Sequence, residues 1–277
     1  MDSAMPSLPD DTDSFLRLIR SRLFQHPPEK FNFNTNGDLR RISAVLFLLG
    51  KASRGGEPFI ILNKRSQHVR QPGDLCCPGG GISPPFDFLL THGLSLPVTP
   101  LARWPHMRWW RHSRSADFSK LSLLLAAALR EGFEEMRLNP FGVTFLGPMP
   151  AQDLVMFKRS IYPMVAWVNR QQRFTPNWEV EKIVRIPIRN LFNPANYARY
   201  LISYKPTAPG ADQLSGREMP CFVHHGNQGE ELLWGATYRI TEHFLKTTFG
   251  FTPPPISRLP VINRRLDRTY LQGSILP

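Results

Sequence analysis

A chain of 277 residues, 42% hydrophobic and 20% charged, is long enough to bury a sizeable core without covalent staples. Its three cysteines, with Cys76 and Cys77 adjacent and Cys221 far away, exclude a disulfide framework and show no zinc-ligand spacing. The charge balance, 34 − 22 = +12, favours anionic partners, but no zinc finger, basic helix or aromatic-basic signature accompanies it, so no nucleic acid is expected.

The opening residues are acidic at Asp10, Asp11 and Asp13, the reverse of a secretory leader. The longest apolar runs, such as Leu123–Leu129, fall far short of the roughly 20 residues a bilayer span needs. A reducing, cytoplasmic location is the expectation.

In chain order, Phe15, Leu16, Ile19 and Leu23 recur at helical spacing, and Pro27-Pro28 ends that helix. Residues 42–49 read as a buried strand, and the polar link Gly50 to Pro58 leads to a second strand at 59–63, together a hairpin. Residues 73–81 read as a tight loop ending in Pro78-Gly79-Gly80-Gly81. From about Ser83 to Ser119 prolines give way to a basic, aromatic patch, Trp104 through Arg114, without a clean period, which predicts an irregular insertion. A Leu- and Ala-rich helix follows over 121–138 and stops at Asn139-Pro140. Strands are expected at 143–146, 161–168 and 182–188, and a last helix from Gly235 to about Leu245. The limits this implies are an extension over 1–41, a domain over 42–248 carrying the insertion at 83–119, and an irregular basic tail over 249–277. The alternation of strands and helices predicts an α+β or mixed α/β sandwich.

The most informative segment is Arg130-Glu131-Gly132-Phe133-Glu134-Glu135. Residues three and four apart share a helix face, so Glu131 neighbours both Glu134 and Glu135, a repulsion of about 0.2–0.5 kcal/mol per pair. A hard divalent cation reverses that penalty, because such ions take carboxylate oxygens. Arg130, four residues before Glu134, can orient a carboxylate. Gly132 costs about 1 kcal/mol relative to alanine inside a helix, and would let another backbone approach. The glycine run upstream can turn backbone N–H groups toward an anion or toward this helix. Taken alone, the acidic triplet reads as a solvated face and the glycines as an ordinary turn; together they point to a site.

Together they also resemble the Nudix box, G-x5-E-x7-R-E-U-x-E-E-x-G-U with U apolar. The likeness extends to Asn63 through Gly73 running into Pro78-Gly79-Gly80, which is similar to the R-S-x-x-L-R and F-P-G-G elements of the coenzyme A pyrophosphatase branch. Trp178-Glu179-Val180, Ile186-Pro187-Ile188 and Leu233-Trp234-Gly235-Ala236-Thr237 match that branch as well.

The resemblance implies an α/β/α sandwich with a mixed β-sheet and a Mg²⁺- or Mn²⁺-dependent pyrophosphohydrolase. Glu131, Glu134 and Glu135 are the expected metal ligands. Glu131 and Arg130 are expected in catalysis, with Glu179 as the later-loop carboxylate. Arg65, Arg70, Gly79, Gly80 and Gly81 are expected to bind substrate, a small nucleotide derivative such as coenzyme A or acyl-coenzyme A.

Three departures from the pattern stand out: Arg137 at the box glycine with Gly132 at an apolar position, the long insertion within the box that separates the glycine loop from the helix, and the earlier glutamate, for which counting back from Arg130 reaches Ser122. The branch's histidine near Gln71-Pro72 is also missing. Hydrolysis of another nucleoside diphosphate derivative and a non-catalytic binding module are the rival readings. Membrane contact through Trp104, Trp109, Trp110 and Arg111 is the weaker reading of the insertion, beside a mobile loop.

Overall fold

The computed structural model describes residues 6–52, 56–154, 159–204, 218–226, 229–266 and Tyr270. Part of the Gly50–Pro58 link and the end of the 249–277 tail lie outside them.

Asp11 starts α1 (Thr12–Gln25): its carboxylate accepts from Ser14 N–H at 2.8 Å, satisfying one of the helix's unpaired donors. There follow β1 (Ile42–Lys51), β2 (Pro58–Arg65), β3 (Leu75–Cys76) and β4 (Gly79–Gly81). Three helices come next: α2 (Pro84–Gly93), α3 (Met107–Ser113) and the long α4 (Ser115–Met136). The second half carries β5 (Val143–Pro148), β6 (Gln152–Leu154), β7 (Arg159–Val168), β8 (Val180–Pro187) and α5 (Ile188–Leu191). It closes with β9 (Tyr197–Tyr204), β10 (Glu218–Gly226), β11 (Gly229–Trp234), α6 (Gly235–Phe249) and β12 (Val261–Leu266).

The chain forms two compact units. The first comprises Leu8–Ile61 and Cys77–Asn177. Its sheet is mixed: β1 pairs antiparallel with β2 and β4, and parallel with β7 from Ile42↔Ser160 to Leu49↔Trp167, while β5 and β6 pair antiparallel with β7. Every residue of β1 from Ile42 to Gly50 is buried, which requires cover on both faces of the strand. Parity along the strands supplies it. Phe15 of α1 packs on Trp167, the register partner of Leu49, with ring centroids 5.9 Å apart. Gly132 of α4 lies over Leu46. Leu46 and Leu49 are three residues apart and so point to opposite faces. Helices α1 and α4 therefore sandwich this sheet, and the fold is α/β with a mixed sheet.

Gly132 sits where a larger apolar side chain would crowd the sheet below. A Cβ there would lie 3.0 Å from both Leu46 Cδ1 and Leu138 Cδ2. Gly132→Ala should change stability by less than about 1 kcal/mol, because helix propensity gains what crowding loses. Gly132→Val overpacks the same contact and should cost about 1–3 kcal/mol. Urea denaturation of the two variants beside wild type checks the contrast.

Two sequence expectations are corrected in this unit. The glycine run is not a loop but a short strand, with Gly79 opposite Val45 and Gly81 opposite Ser43. Residues 83–119 are not irregular: they fold as α2, α3 and the first turn of α4, with Leu94, Leu101, Trp104 and Trp110 buried.

The second unit comprises Met1–Ser7, Leu62–Cys76 and Trp178–Pro277. Strand β3 pairs with the end of β2 at Asn63↔Cys76. A four-stranded sheet in the order β11-β10-β9-β12 follows, antiparallel except for the β9–β12 pair. Its core holds Ala198, Tyr200 and Cys221, with Trp234 packed against them. The 249–277 segment, expected to be irregular, supplies β12, which runs parallel to β9 from Val261↔Arg199. Among the described residues no helix is long and apolar enough to cross a membrane.

Candidate active site

The glycines of β4 fit the helix behind them one by one. Gly79 has φ +150°, and a Cβ there would strike the backbone of Ala44 and Val45, so no other residue passes this close. Its N–H donates to Glu135 Oε2 at 3.2 Å. At Gly80 the position of a Cβ is filled by the Glu131 carboxylate. The carbonyl of Gly81 accepts from Arg130 Nη2 at 3.0 Å. The strand thus meets three of the four residues that the resemblance singles out at this end of α4, Arg130, Glu131 and Glu135.

Arg130 is the hub of the cluster. Its Nε donates to Asp87 Oδ1 at 2.7 Å and its Nη2 to Asp87 Oδ2 at 3.2 Å, a bidentate pair in which Asp87 is fully buried. Ser83 N–H donates to the same Asp87 Oδ2 at 2.7 Å. On the other side, Arg130 Nη1 donates to Glu134 Oε2 at 2.9 Å and stands 3.1 Å from Glu131 Oε1. Burial opposes the guanidinium charge, but the Asp87 hydrogen bonds and the charges of Glu131, Asp87 and Glu134 outweigh it and raise the Arg130 pKa. Arg130 is therefore bonded to Asp87 of α2 and Gly81 of β4, and it pairs with Glu131 and Glu134 on its own helix.

Asp87 was missed in the sequence, where counting back from Arg130 reached Ser122 instead. Counting forward from Gly81 through five residues reaches Asp87, the G-x5-acid spacing with aspartate for glutamate. The insertion thus separates Asp87 from Arg130, and counting back from Arg130 crosses it. Ser122 instead turns its hydroxyl to Phe118 O at 2.8 Å within α4. The Arg137 departure has a physical reading too. Arg137 ends α4 in the left-handed region at φ +54°, where glycine is usual, and its guanidinium lies 5.0 Å from the Phe133 ring.

The remaining expected residues belong to the second unit. Arg65 Nε donates to Arg70 O at 2.6 Å, tying these two arginines into one turn. Ser66 N–H donates to Glu179 O at 2.8 Å. The structure brings together Gly79–Gly81, Arg130, Glu131, Glu134 and Glu135, and adds Asp87.

A divalent cation suits this donor set. Three carboxylates lie within five residues of one helix, and the missing Cβ of Gly80 makes the room that Glu131 occupies. Among the described residues, no three acidic, histidine or cysteine side chains already converge on one point. Glu131 and Glu134 reach Arg130, and Glu135 reaches Gly79. Glu134 is 49% exposed and so meets solvent while paired with Arg130.

The tryptophans of the insertion are mostly core. Trp104 is buried and donates from Nε1 to Leu146 O at 3.2 Å. Trp110 is buried with the Arg114 guanidinium 4.6 Å from its ring. That corrects the membrane reading for two of its three aromatic residues.

No protein-family model and no curated protein matches this chain. Among solved structures it is similar to a Nudix hydrolase from M. smegmatis, at 16% identity and a TM-score of 0.33, over 53% of this chain and 71% of that one. It is similar to an Ap4A hydrolase from C. elegans at 15% identity and TM-score 0.33, over 53% and 80%. It is similar to a NUDIX hydrolase from Alicyclobacillus acidocaldarius at 14% and 0.36, over 55% and 80%.

Proposed function

We propose that this protein is a metal-dependent pyrophosphohydrolase of the Nudix type, acting on coenzyme A or an acyl derivative. The observation that carries the reading is the chain of contacts Asp87–Arg130–Glu134 and Glu131, laid over the glycine strand, in the order Gly81-x5-Asp87 and Arg130-Glu131-x-x-Glu134-Glu135. Glu131, Glu134 and Glu135 would hold Mg²⁺ or Mn²⁺, which when bound neutralises phosphate oxygens and acidifies water. Arg130 positions Glu131 and Glu134; Gly79 N–H positions Glu135. Glu131, or Glu179 from the later loop, accepts the proton of the attacking water. The products are a phosphopantetheine fragment and adenosine 3′,5′-bisphosphate.

Gly80→Ala tests the arrangement locally. The new methyl displaces the Glu131 carboxylate rather than backbone, so turnover should fall at least about tenfold. The melting temperature should stay within a few degrees of wild type, by calorimetry. Unchanged turnover would remove Glu131 from the mechanism.

The substrate reading rests on two segments that the coenzyme A likeness singles out. They are joined physically: Trp234 Nε1 donates to Asp74 Oδ1 at 3.1 Å, one residue past Gly73. Arg65 and Arg70 offer guanidinium forks for the 3′-phosphate that sets coenzyme A apart from most nucleotide diphosphates. Coenzyme A should be hydrolysed about tenfold more efficiently than its 3′-dephospho form if one contact of roughly 1.5 kcal/mol is lost. The comparison is of kcat/KM with Mg²⁺ at fixed ionic strength. Equal efficiency, or a preference for dinucleotides, would overturn the substrate and leave the chemistry standing.

A further inference from the structure

The turn that carries Arg65 and Arg70 is closed from within by hydrogen bonds. Arg65 N–H donates to Asp74 O at 2.9 Å, Gly73 N–H to Arg65 O at 2.9 Å, and Arg65 Nε to Arg70 O at 2.6 Å. One residue of the turn is out of its ordinary conformation. Gln71 has φ +56°, a left-handed backbone that a side chain disfavours, and it precedes Pro72, whose ring crowds the residue before it. Such a residue persists only where its surroundings hold it.

Tyr270 supplies the hold. It comes from the 249–277 segment, is 4% exposed, and grips the turn at two points. Its carbonyl accepts Gln71 N–H at 2.7 Å, at the left-handed residue itself. Its hydroxyl donates to Asp74 Oδ2, while Trp234 Nε1 donates to Asp74 Oδ1 at 3.1 Å. The two rings are stacked, 27° from parallel with centroids 6.4 Å apart, so neighbouring donors occupy both oxygens of one carboxylate. Hydrogen bonds to a carboxylate are stronger than those between neutral groups, and a buried tyrosine hydroxyl needs an acceptor. All these residues belong to the second unit. Packing alone would need only the ring, which sits in the core with Ala198, Tyr200 and Cys221. The hydroxyl acts on the turn instead.

We propose that Tyr270 is a positioning residue for substrate: through Asp74 and Gln71 it fixes the Arg65–Asp74 turn in the shape in which its arginines meet the 3′-phosphate of coenzyme A. The role rests on the coenzyme A reading above. Tyr270→Phe keeps the ring and loses the hydroxyl. Asp74→Asn keeps the volume but leaves one of the two donors without an acceptor. Both variants and the double variant would be compared with wild type, as full chains with Mg²⁺, on coenzyme A and its 3′-dephospho form. Each single variant should raise KM for coenzyme A at least about threefold. KM for the dephospho form and kcat for both should stay within about twofold, so the preference for coenzyme A falls from about tenfold to about threefold or less. The double variant should lie within about twofold of the more affected single one, because both substitutions remove the same bond. A preference kept at the wild-type value in both variants, or an equal fall on the two substrates, would overturn the role of Tyr270 and leave the coenzyme A reading standing. A wild-type chain without the preference would overturn that reading, and the role of Tyr270 with it.

Discussion

Asp87→Asn should destabilise the first unit by about 3–5 kcal/mol, because it leaves the buried Arg130 guanidinium without its bidentate counter-charge. At roughly 2–4 °C per kcal/mol this corresponds to a fall of about 6–20 °C in the melting of that unit. The magnitude follows from geometry. Asp87 is wholly buried, Arg130 is 10% exposed, and Glu134 faces solvent too much to replace the lost partner. Removing both members as Asp87→Leu with Arg130→Met should cost much less than Asp87→Asn alone, since an apolar pair of similar volume replaces a desolvated one. Turnover separates the two outcomes: the double variant should fold and yet be inactive, because nothing then positions Glu131 and Glu134. A double variant with wild-type turnover would show that Arg130 has no part in the site.

Trp110→Ala should cost about 3–5 kcal/mol, the range for emptying a buried aromatic site. Trp110 is 1% exposed, its indole receives the Arg114 guanidinium, and it packs near Phe31 and Trp104. Trp109→Ala, one residue earlier and 43% exposed, should cost under about 1 kcal/mol. Denaturation of the two variants side by side checks this. Equal and small effects would restore the view of residues 83–119 as an appendage. On the present packing, excising 83–115 removes Asp87, Trp104 and Trp110 together, and the remainder should not unfold cooperatively.

The parts legible in the sequence were those where one signal ran long. Ile42–Gly50 is buried on both faces and so reads as an unbroken apolar run, and α4 carries Leu and Ala over several turns. The insertion was not legible because α2 and α3, at 10 and 7 residues, have too few turns to display a period. Their prolines and tryptophans also read as loop and surface. The strands β9 to β12 were missed for a different reason. Cys221-Phe222-Val223-His224-His225 alternates weakly, because a buried histidine stands where an apolar residue is expected. In the site, the glutamates and glycines were visible by type and spacing. Asp87 was hidden only because the spacing was counted from Arg130 across the insertion instead of forward from Gly81.

The central claim is that the carboxylates of α4 support metal-dependent cleavage of a pyrophosphate bond. The measurement that tests it most directly is hydrolysis of coenzyme A by the full chain, with Mg²⁺ or Mn²⁺ and with chelator, in wild type and in Glu134→Gln and Glu135→Gln. Turnover should require the metal, release adenosine 3′,5′-bisphosphate, and fall at least about tenfold in each variant while both keep their fold; tenfold corresponds to about 1.4 kcal/mol of transition-state stabilisation. Turnover that survives chelation, or that stays near wild type in both variants at limiting metal, would contradict it.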